Sequence, residues 1–315
     1  MTDVLVEGGG VAAASAARLA SRAGWSVAWR ECGRPRLPAI LLSDTAQHFL
    51  AGVFTDKDLF RGAHPIRRRV VAWGGRAAVT LEHSAVVVSE QQLLDRLRPR
   101  IGDANGGASW IIRTLPGKAN EHCFGSRAAT VWRVEVEDDS ACAIESLEAG
   151  WLFLVPEGGG SGWLLSVGDA SLEQSAVIRR MIRGRGAAAG EFPAYPKIAM
   201  PLGGAGWLGC GSAAMAFDPI CGDGAANAVR EAILAAAVAS AALKGEDAAA
   251  LIDHYQKRLK LGFKRHLLLC REYYRSGGEG AWWREEAAAL ERGIEWCGGE
   301  SSFTFQLNGY ELRRI

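Results

Sequence analysis

The first 31 residues carry the strongest constraint on what this chain can fold into. Residues 3–7 are an apolar run that ends in Gly8-Gly9-Gly10. Residues 11–23 follow as an alanine-rich helix, with Ala13, Ala16, Ala17 and Leu19 spaced to form one close-packing face. Gly24 ends that helix, and Trp25 to Glu31 reads as a second strand. Strand, glycine turn, helix and strand at this spacing make a βαβ unit. In Gly8-x-Gly10-x-x-Ala13 the first glycine permits the tight turn. The second lets the backbone approach a pyrophosphate, and the small third residue packs helix against strand. The helix start offers unpaired amides and the positive end of its dipole to phosphate. Glu31 falls where an acid accepts hydrogen bonds from a ribose hydroxyl. These residues predict a dinucleotide site, with a tight βα turn in an unrelated α/β protein as the alternative.

A length of 315 residues suffices for one or two domains with a substantial core. The net charge of +1 provides no field for nucleic acid or an acidic membrane surface, so neither is expected as a partner. The runs Ile66-Arg67-Arg68-Arg69 and Arg179-Arg180 read as solvated faces or phosphate contacts. The start of the chain lacks the basic region of a signal peptide. The apolar run from Ala225 to Leu243 is interrupted by Arg230 and Glu231 and reads as a buried helix, not a membrane span. Seven scattered cysteines form no CxxC pair and no metal-ligand spacing. That pattern predicts reduced thiols, a cytoplasmic location and no metal site.

Further along, residues 38–62 read as helical after Pro38. Strand-like runs follow at Val70–Trp73, Ala77–Leu81 and Val86–Val88, and Ser89 is a cap candidate for a helix over 90–98. Residues 102–127 read as loops around a short strand at Trp110–Ile112. Between 130 and 170 four strand-like runs occur, the last two joined by a hairpin at Gly158–Gly162. The remainder after a strand at 207–211 reads as helical, with the aromatic pairs Tyr273-Tyr274 and Trp282-Trp283.

A second glycine-rich segment runs from Trp207 through Gly211-Ser212 to Asp218-Pro219-Ile-Cys221-Gly222-Asp223-Gly224 and Asn227. It resembles the second FAD motif of the p-hydroxybenzoate hydroxylase-like flavoproteins. That superfamily includes aromatic monooxygenases, tryptophan halogenases and geranylgeranyl reductases. In the family, Pro-x-x-Gly-x-Gly turns into a helix under the isoalloxazine, and the amides there stabilise negative charge on reduced flavin. The stretch Gly150-Trp151 to Pro156 is similar to a substrate-domain strand of the family. The tail with Tyr273-Tyr274 and Trp282-Trp283-Arg284 is similar to that of halogenase-like members and of flavoprotein maturases that hydroxylate tryptophan in a partner protein.

The resemblance implies FAD as cofactor, held by Gly8, Gly10, Ala13, Glu31, Gly211, Ser212, Asp218, Gly222, Gly224 and Asn227. Four features depart from the family. Ser212 stands where the family has an acid for the ribityl chain, and Arg113-Thr-Leu-Pro-Gly117 replaces its Asp-Ala-Thr-Gly. Glu90 stands in place of an arginine, and the segment before the sheet is short. The stretch Pro38 to Thr45 lacks the segment that halogenases carry there, which argues against halogenation.

Pro219 beside the ring and His83 at the substrate face are the candidate catalytic residues; for His83 a packing role is the alternative. For Asp218 a cap on its turn is the alternative, for Cys221 a small packing residue near the ring, and for Trp151 and Phe153 the two readings are the lining of an aromatic pocket and the filling of the core. The expected fold is α/β. A Rossmann-like FAD-binding domain is formed by 1–130 and 195–245, an antiparallel-sheet substrate domain by 131–194, and a helical cover by 246–315. The expected activity is that of an FAD-dependent oxidoreductase of the monooxygenase type. Its partner would be a small aromatic or indole substrate, or a protein carrying a tryptophan. A saturating reductase and a flavin-binding protein without turnover remain as alternatives.

Overall fold

The structure, a computed structural model, describes residues 2–32, 36–56, 58–98, 107–117, 120–299 and 302–315. Its strands, numbered along the chain, assort into two main sheets. The first holds β1 (Thr2–Glu7), β2 (Val27–Arg30), β6 (Ala108–Arg113), β14 (Gly203–Gly204) and β15 (Trp207–Gly209), in the order β14-β15-β6-β1-β2. β1 pairs in parallel with β2 on one side and β6 on the other, and β6 pairs in parallel with β15. The order therefore reverses at β1, and in open α/β sheets such a switch point opens a crevice at the carboxyl ends of the strands.

The second sheet holds β3 (Ile40–Ser43), β4 (His64–Ala72), β5 (Val79–Val88), β8 (Ala128–Val136), β9 (Ala141–Leu147), β10 (Gly150–Gly158), β11 (Ser161–Gly168) and β12 (Ile182–Pro193). The order is β12-β8-β11-β10-β9-β4-β5-β3. Every pairing is antiparallel except β4 with β9. This sheet takes in residues 40–88 as well as 128–193, so it crosses the boundary drawn at 130/131 from the sequence. The parallel β4–β9 pairing joins the two stretches, a long-range match that no local pattern announces. A three-stranded sheet of β7 (Asn120–Cys123), β13 (Lys197–Met200) and β16 (Met215–Ala216) and a hairpin of β17 (Phe305–Asn308) and β18 (Glu311–Arg314) complete the strands.

The helices are α1 (Gly10–Arg22), α2 (Asp44–Phe54), α3 (Glu90–Leu97), α4 (Ile178–Met181), α5 (Gly224–Leu243), α6 (Ala248–Gly277) and α7 (Ala281–Cys297). α1 and α5 pack against each other through small side chains: Ala13, Ala16 and Ala17 on one, Ala232, Ala235 and Ala239 on the other. Methyl-sized residues let the two backbones approach closely and leave their N-termini side by side. α5 is long and apolar enough by composition to cross a membrane, but 72% of its apolar window lies inside the protein, where it forms the centre of the core.

Three expectations differ from what is found. The helix expected from 38 begins only at Asp44, because Ile40-Leu41-Leu42 pair with Val86–Val88 and Ser43 caps the helix by accepting from the Ala46 amide. The run expected at Ala77–Leu81 becomes strand only from Val79 and continues through Val86–Val88 as one strand, β5. The cover at 246–315 is not wholly helical, since β17 and β18 close it as a hairpin. The helix expected at 90–98 is present as α3, and Ser89 and Gln92 form a reciprocal capping box at its start. Part of the loop expected over 102–127 lies outside the described residues.

Candidate functional site

A cleft of about 450 Å³ opens between the N-termini of α1 and α5 on one side and the face of the larger sheet on the other. Gly9, Gly10, Val11 and Ala12 from the first glycine segment line it together with Gly211, Ser212, Pro219, Gly222 and Gly224 from the second. The contact between the segments is direct. Gly211 has φ +58°, and a methyl added there would sit 2.8 Å from Cβ of Ala12. Two turns two hundred residues apart in the chain thus form one wall.

That wall is rich in unused backbone donors. α2, α3 and α6 begin with side-chain caps from Ser43, Ser89 and Asp247. The two helices that start at the cleft have none: Gly9 and Asp223 stand at the cap positions of α1 and α5 without a side-chain bond to the helix. Uncapped first-turn amides facing a cavity are the arrangement that receives an anion. Arg36 adds a charge there, its guanidinium about 3.4 Å from where a Cβ of Gly9 would lie. It also pairs with Glu31, which receives a second, looser ion pair from Arg98 at 3.3 Å. Glu31 is therefore engaged by two arginines and does not line the cleft, whereas Arg36 reaches the edge of the wall beside Gly9. Sequence reasoning passed over Arg36 because it lies in a loop with no motif around it.

The remaining expected residues separate into three groups. Gly8 and Ala13 act through packing. The Cβ of any other residue at Gly8, where φ is +122°, would collide with Oγ1 of Thr114, and Ala13 is buried against the sheet. Thr114 replaces part of the family's Asp-Ala-Thr-Gly, yet it folds onto the same turn, donating towards the carbonyls of Glu7 and Gly9. Ser212, Pro219, Gly222 and Gly224 line the cleft. Asp218 reaches the wall, but its carboxylate is buried and committed: Oδ1 accepts from the Ile220 amide at 2.9 Å, and Oδ2 accepts from Arg127 Nε at 2.8 Å. Its role is to cap the short turn Pro219–Cys221.

Asn227 does not reach the cleft. It lines a second cavity of about 390 Å³ on the other side of α5, where it accepts from Arg230. The reason is helical phase, since Gly224, Ala225 and Ala228 face the cleft and a residue at 227 is turned away. Glu90 lines the cleft and clasps its rim, Oε2 accepting from the Leu37 amide at 2.9 Å while its own amide donates to the Leu37 carbonyl.

The opposite wall is aromatic and aliphatic, with Phe153, Val155, Trp163 and Leu165 from β10 and β11 and Phe192 from β12; Phe217, next to Asp218 in the second glycine segment, also lines the cleft. Trp151 shares a sheet face with Phe153 but is fully buried, its indole donating to the Tyr274 hydroxyl at 3.1 Å, so it belongs to the core. His83 lines a small side cavity of about 40 Å³ that shares Leu41, Phe153, Pro219, Gly222 and Asp223 with the main cleft. Burial, and then the charge of Arg69, lower its pKa against the opposing pull of Asp44, so its ring is uncharged at neutral pH.

Beneath the cleft lies a buried ionic cluster. Arg127 bridges Asp218 and Glu286, and its guanidinium sits 4.4 Å above the Tyr274 ring. Burial opposes the charge on Arg127, but the carboxylates outweigh it and hold the arginine protonated. Next to this cluster Cys221, His266 and Cys270 converge, with their ligand-type atoms within 4.8 Å of one another. No spacing in the linear sequence joins Cys221 to the other two. The one local signal was His266-x-x-x-Cys270, a separation that puts two residues on one helix face.

No protein-family model matches the chain, and no curated protein matches it by sequence. Solved structures do match in shape. A peptidyl tryptophan dihydroxylase, QhpG, essential for tryptophylquinone cofactor biogenesis, is 20% identical with a TM-score of 0.74, over 90% of this chain and 78% of that one. A flavin-dependent halogenase, CmlS, is 16% identical with a TM-score of 0.75, over 95% and 70%. The p-nitrophenol 4-monooxygenase PnpA of Pseudomonas putida DLL-E4 is 14% identical with a TM-score of 0.64, over 95% and 99%. The α/β fold expected from the two glycine segments is thus the fold of flavin-dependent halogenases and monooxygenases.

Proposed function

We propose that the protein is an FAD-dependent oxidoreductase of the monooxygenase type, acting on an aromatic or indole group. The observation that carries this reading is the meeting of Gly8–Ala13 with Gly211–Gly224 along one cleft whose helix ends are uncapped. The residues present fit the cofactor. First-turn amides of α1 and the Arg36 guanidinium would hold the pyrophosphate, Ser212 would hydrogen-bond the ribityl chain, and the first turn of α5 would face the ring. Substituting Ser for the family's acid removes a charge and keeps a donor and an acceptor, a loss of about 1 kcal/mol for one hydrogen bond.

When bound, flavin supplies the redox chemistry. The chain's own contribution is position and exclusion of water. The wall of Phe153, Trp163 and Phe192 orients a flat apolar substrate and keeps the cleft dry. Uncharged His83 can accept a proton at the edge of the side cavity. A compact aromatic wall favours an aromatic substrate over the extended isoprenoid of a saturating reductase. One of the similar structures is a peptidyl tryptophan dihydroxylase, and an indole, free or carried on a protein, suits the same wall.

The test begins with the visible absorbance of the purified chain during titration with FAD. Uptake with a bound-flavin spectrum is expected, and Arg36→Gln should weaken it roughly tenfold by removing a charged hydrogen-bond donor. A chain that stays colourless throughout the titration ends the proposal. With flavin bound, NADH and NADPH oxidation is measured with and without small phenols and indoles. Substrate-stimulated oxygen uptake is expected, and turnover without oxygen would favour the reductase.

A further inference from the structure

Cys221 and Cys270 bring their sulfur atoms to 3.5 Å. Cys221 ends the short turn Pro219–Cys221 and is half-buried, whereas Cys270 lies on α6 and is wholly buried. Cys221 lines the small side cavity, where its neighbours include Arg69 and His83. Arg69, on the wall of the same cavity, keeps a buried Nε without a hydrogen-bond partner. Nε2 of His266 accepts from the Asp218 amide at 2.9 Å and lies 3.2 Å from Cys270 Sγ, so the imidazole packs directly against the buried thiol.

We propose that Cys221 and Cys270 form a redox-active dithiol centre, oxidised to an internal disulfide by a small hydroperoxide that enters the side cavity. Three features select this chemistry. The sulfurs touch, one is accessible and the other shielded, which is the asymmetry of an attacking and a resolving thiol. A cavity of about 40 Å³ admits hydrogen peroxide and excludes a bulky disulfide substrate. The Cys221 thiol is also acidic: the hydrogen bond from Cys270 pulls its pKa down to about 6 against burial, with further help from His266.

The step balances. The Cys221 thiolate attacks one peroxide oxygen and the O–O bond breaks. A sulfenic acid forms, and the other oxygen departs as hydroxide, which takes up the proton that Cys221 gave up. Cys270 sulfur then attacks Cys221 sulfur, the S–O bond breaks, and the oxygen leaves as water with the Cys270 proton. Two thiols and one hydrogen peroxide become one disulfide and two waters, the sulfur pair losing the two electrons that the peroxide gains. Oxygen chemistry in the adjoining cleft would be a local source of peroxide, but the thiol reaction does not depend on flavin.

The same three side chains could be read as a soft metal site. The Asp218 amide, however, occupies the Nε2 lone pair that a metal would need. The dithiol reading is therefore preferred, and a metal becomes an outcome of the test.

The full chain, reduced and freed of reductant, is treated with one equivalent of hydrogen peroxide, alkylated, digested and mapped by mass spectrometry, with and without added FAD. A Cys221–Cys270 linked peptide that dithiothreitol reverses is expected in both samples, so a failure of flavin binding leaves this test intact. The reaction should exceed that of free cysteine at neutral pH by at least about tenfold. Cys270→Ser should stop at a Cys221 sulfenic acid trapped by dimedone, and Cys221→Ala should leave Cys270 unreacted, with circular dichroism showing each variant folded. The proposal is overturned if both cysteines stay alkylatable after peroxide, if the rate matches free cysteine, or if the isolated chain holds a stoichiometric metal ion whose removal is needed for oxidation.

Discussion

Gly211 shows how a single missing methyl group can hold a site together. Its backbone is left-handed at φ +58°, and the α1 helix lies so close that a Cβ would press on Ala12. Gly211→Ala therefore combines backbone strain with a clash and should destabilise the protein by about 1–3 kcal/mol. Urea unfolding measures this, and an unchanged midpoint would show that the two segments are not in contact. Glu231 sits directly beneath, with Oε2 accepting from the Gly211 amide at 2.7 Å and Oε1 buried without a partner. Burial raises its pKa to about 8, with the Gly211 amide pulling the other way. The folded protein thus keeps a proton that the unfolded chain has already lost at its ordinary value of 4.5. Its favourable contribution is complete below that ordinary value and is lost as pH rises through the folded one. Within the window stability should fall by about 1.4 kcal/mol per pH unit from this group. Glu231→Gln keeps the acceptor for Gly211 and should flatten that slope in urea midpoints collected across the window. Equal slopes in both proteins would refute the assignment.

Arg127 illustrates the element scale. It sits just before β8, holds Asp218 at the capped turn and Glu286 on α7, and lies over Tyr274 on α6. One cation therefore ties the larger sheet, the second glycine segment and the two C-terminal helices together. Such a cluster is weak evidence for net stability, because burying the charges is itself costly, but breaking it strands two carboxylates in the interior. Arg127→Met should cost about 3–5 kcal/mol and loosen the Pro219–Cys221 turn. Calorimetry gives the first effect. Proteolysis after the turn, faster in the variant than in the parent at equal stability in added osmolyte, gives the second; an intact turn would limit the role of Arg127 to global stability.

At the scale of the whole molecule, two sheets of different construction face one cleft. The parallel sheet presents backbone amides at its switch point, and the antiparallel sheet presents aromatic side chains. A ligand spanning both walls binds the folded chain and not the unfolded one. At about a hundred times its dissociation constant, FAD should raise unfolding free energy by about 2.7 kcal/mol. The check is the melting temperature as a function of FAD concentration. Bound flavin colour without any rise in melting temperature would mean that binding does not require the assembled cleft.

Much of this was legible in the chain itself, wherever the information is local. A strand, a glycine turn and an alanine helix within 31 residues announce a βαβ unit because turn geometry and side-chain periodicity act between near neighbours. The Ser89 cap and the hairpin at Gly158–Gly162 were readable for the same reason, and the second glycine segment through its resemblance to a known flavin motif. Tertiary structure alone decided the rest. It paired β4 with β9 across seventy residues, turned Asn227 away from the cleft through helical phase, and engaged Asp218 with Arg127 and Glu31 with Arg98, each from a distant segment. It also set Cys221 against Cys270. Local sequence specifies what each segment can become, whereas contacts between distant segments depend on how whole faces pack, and that energy is shared among too many residues for any short pattern to record it.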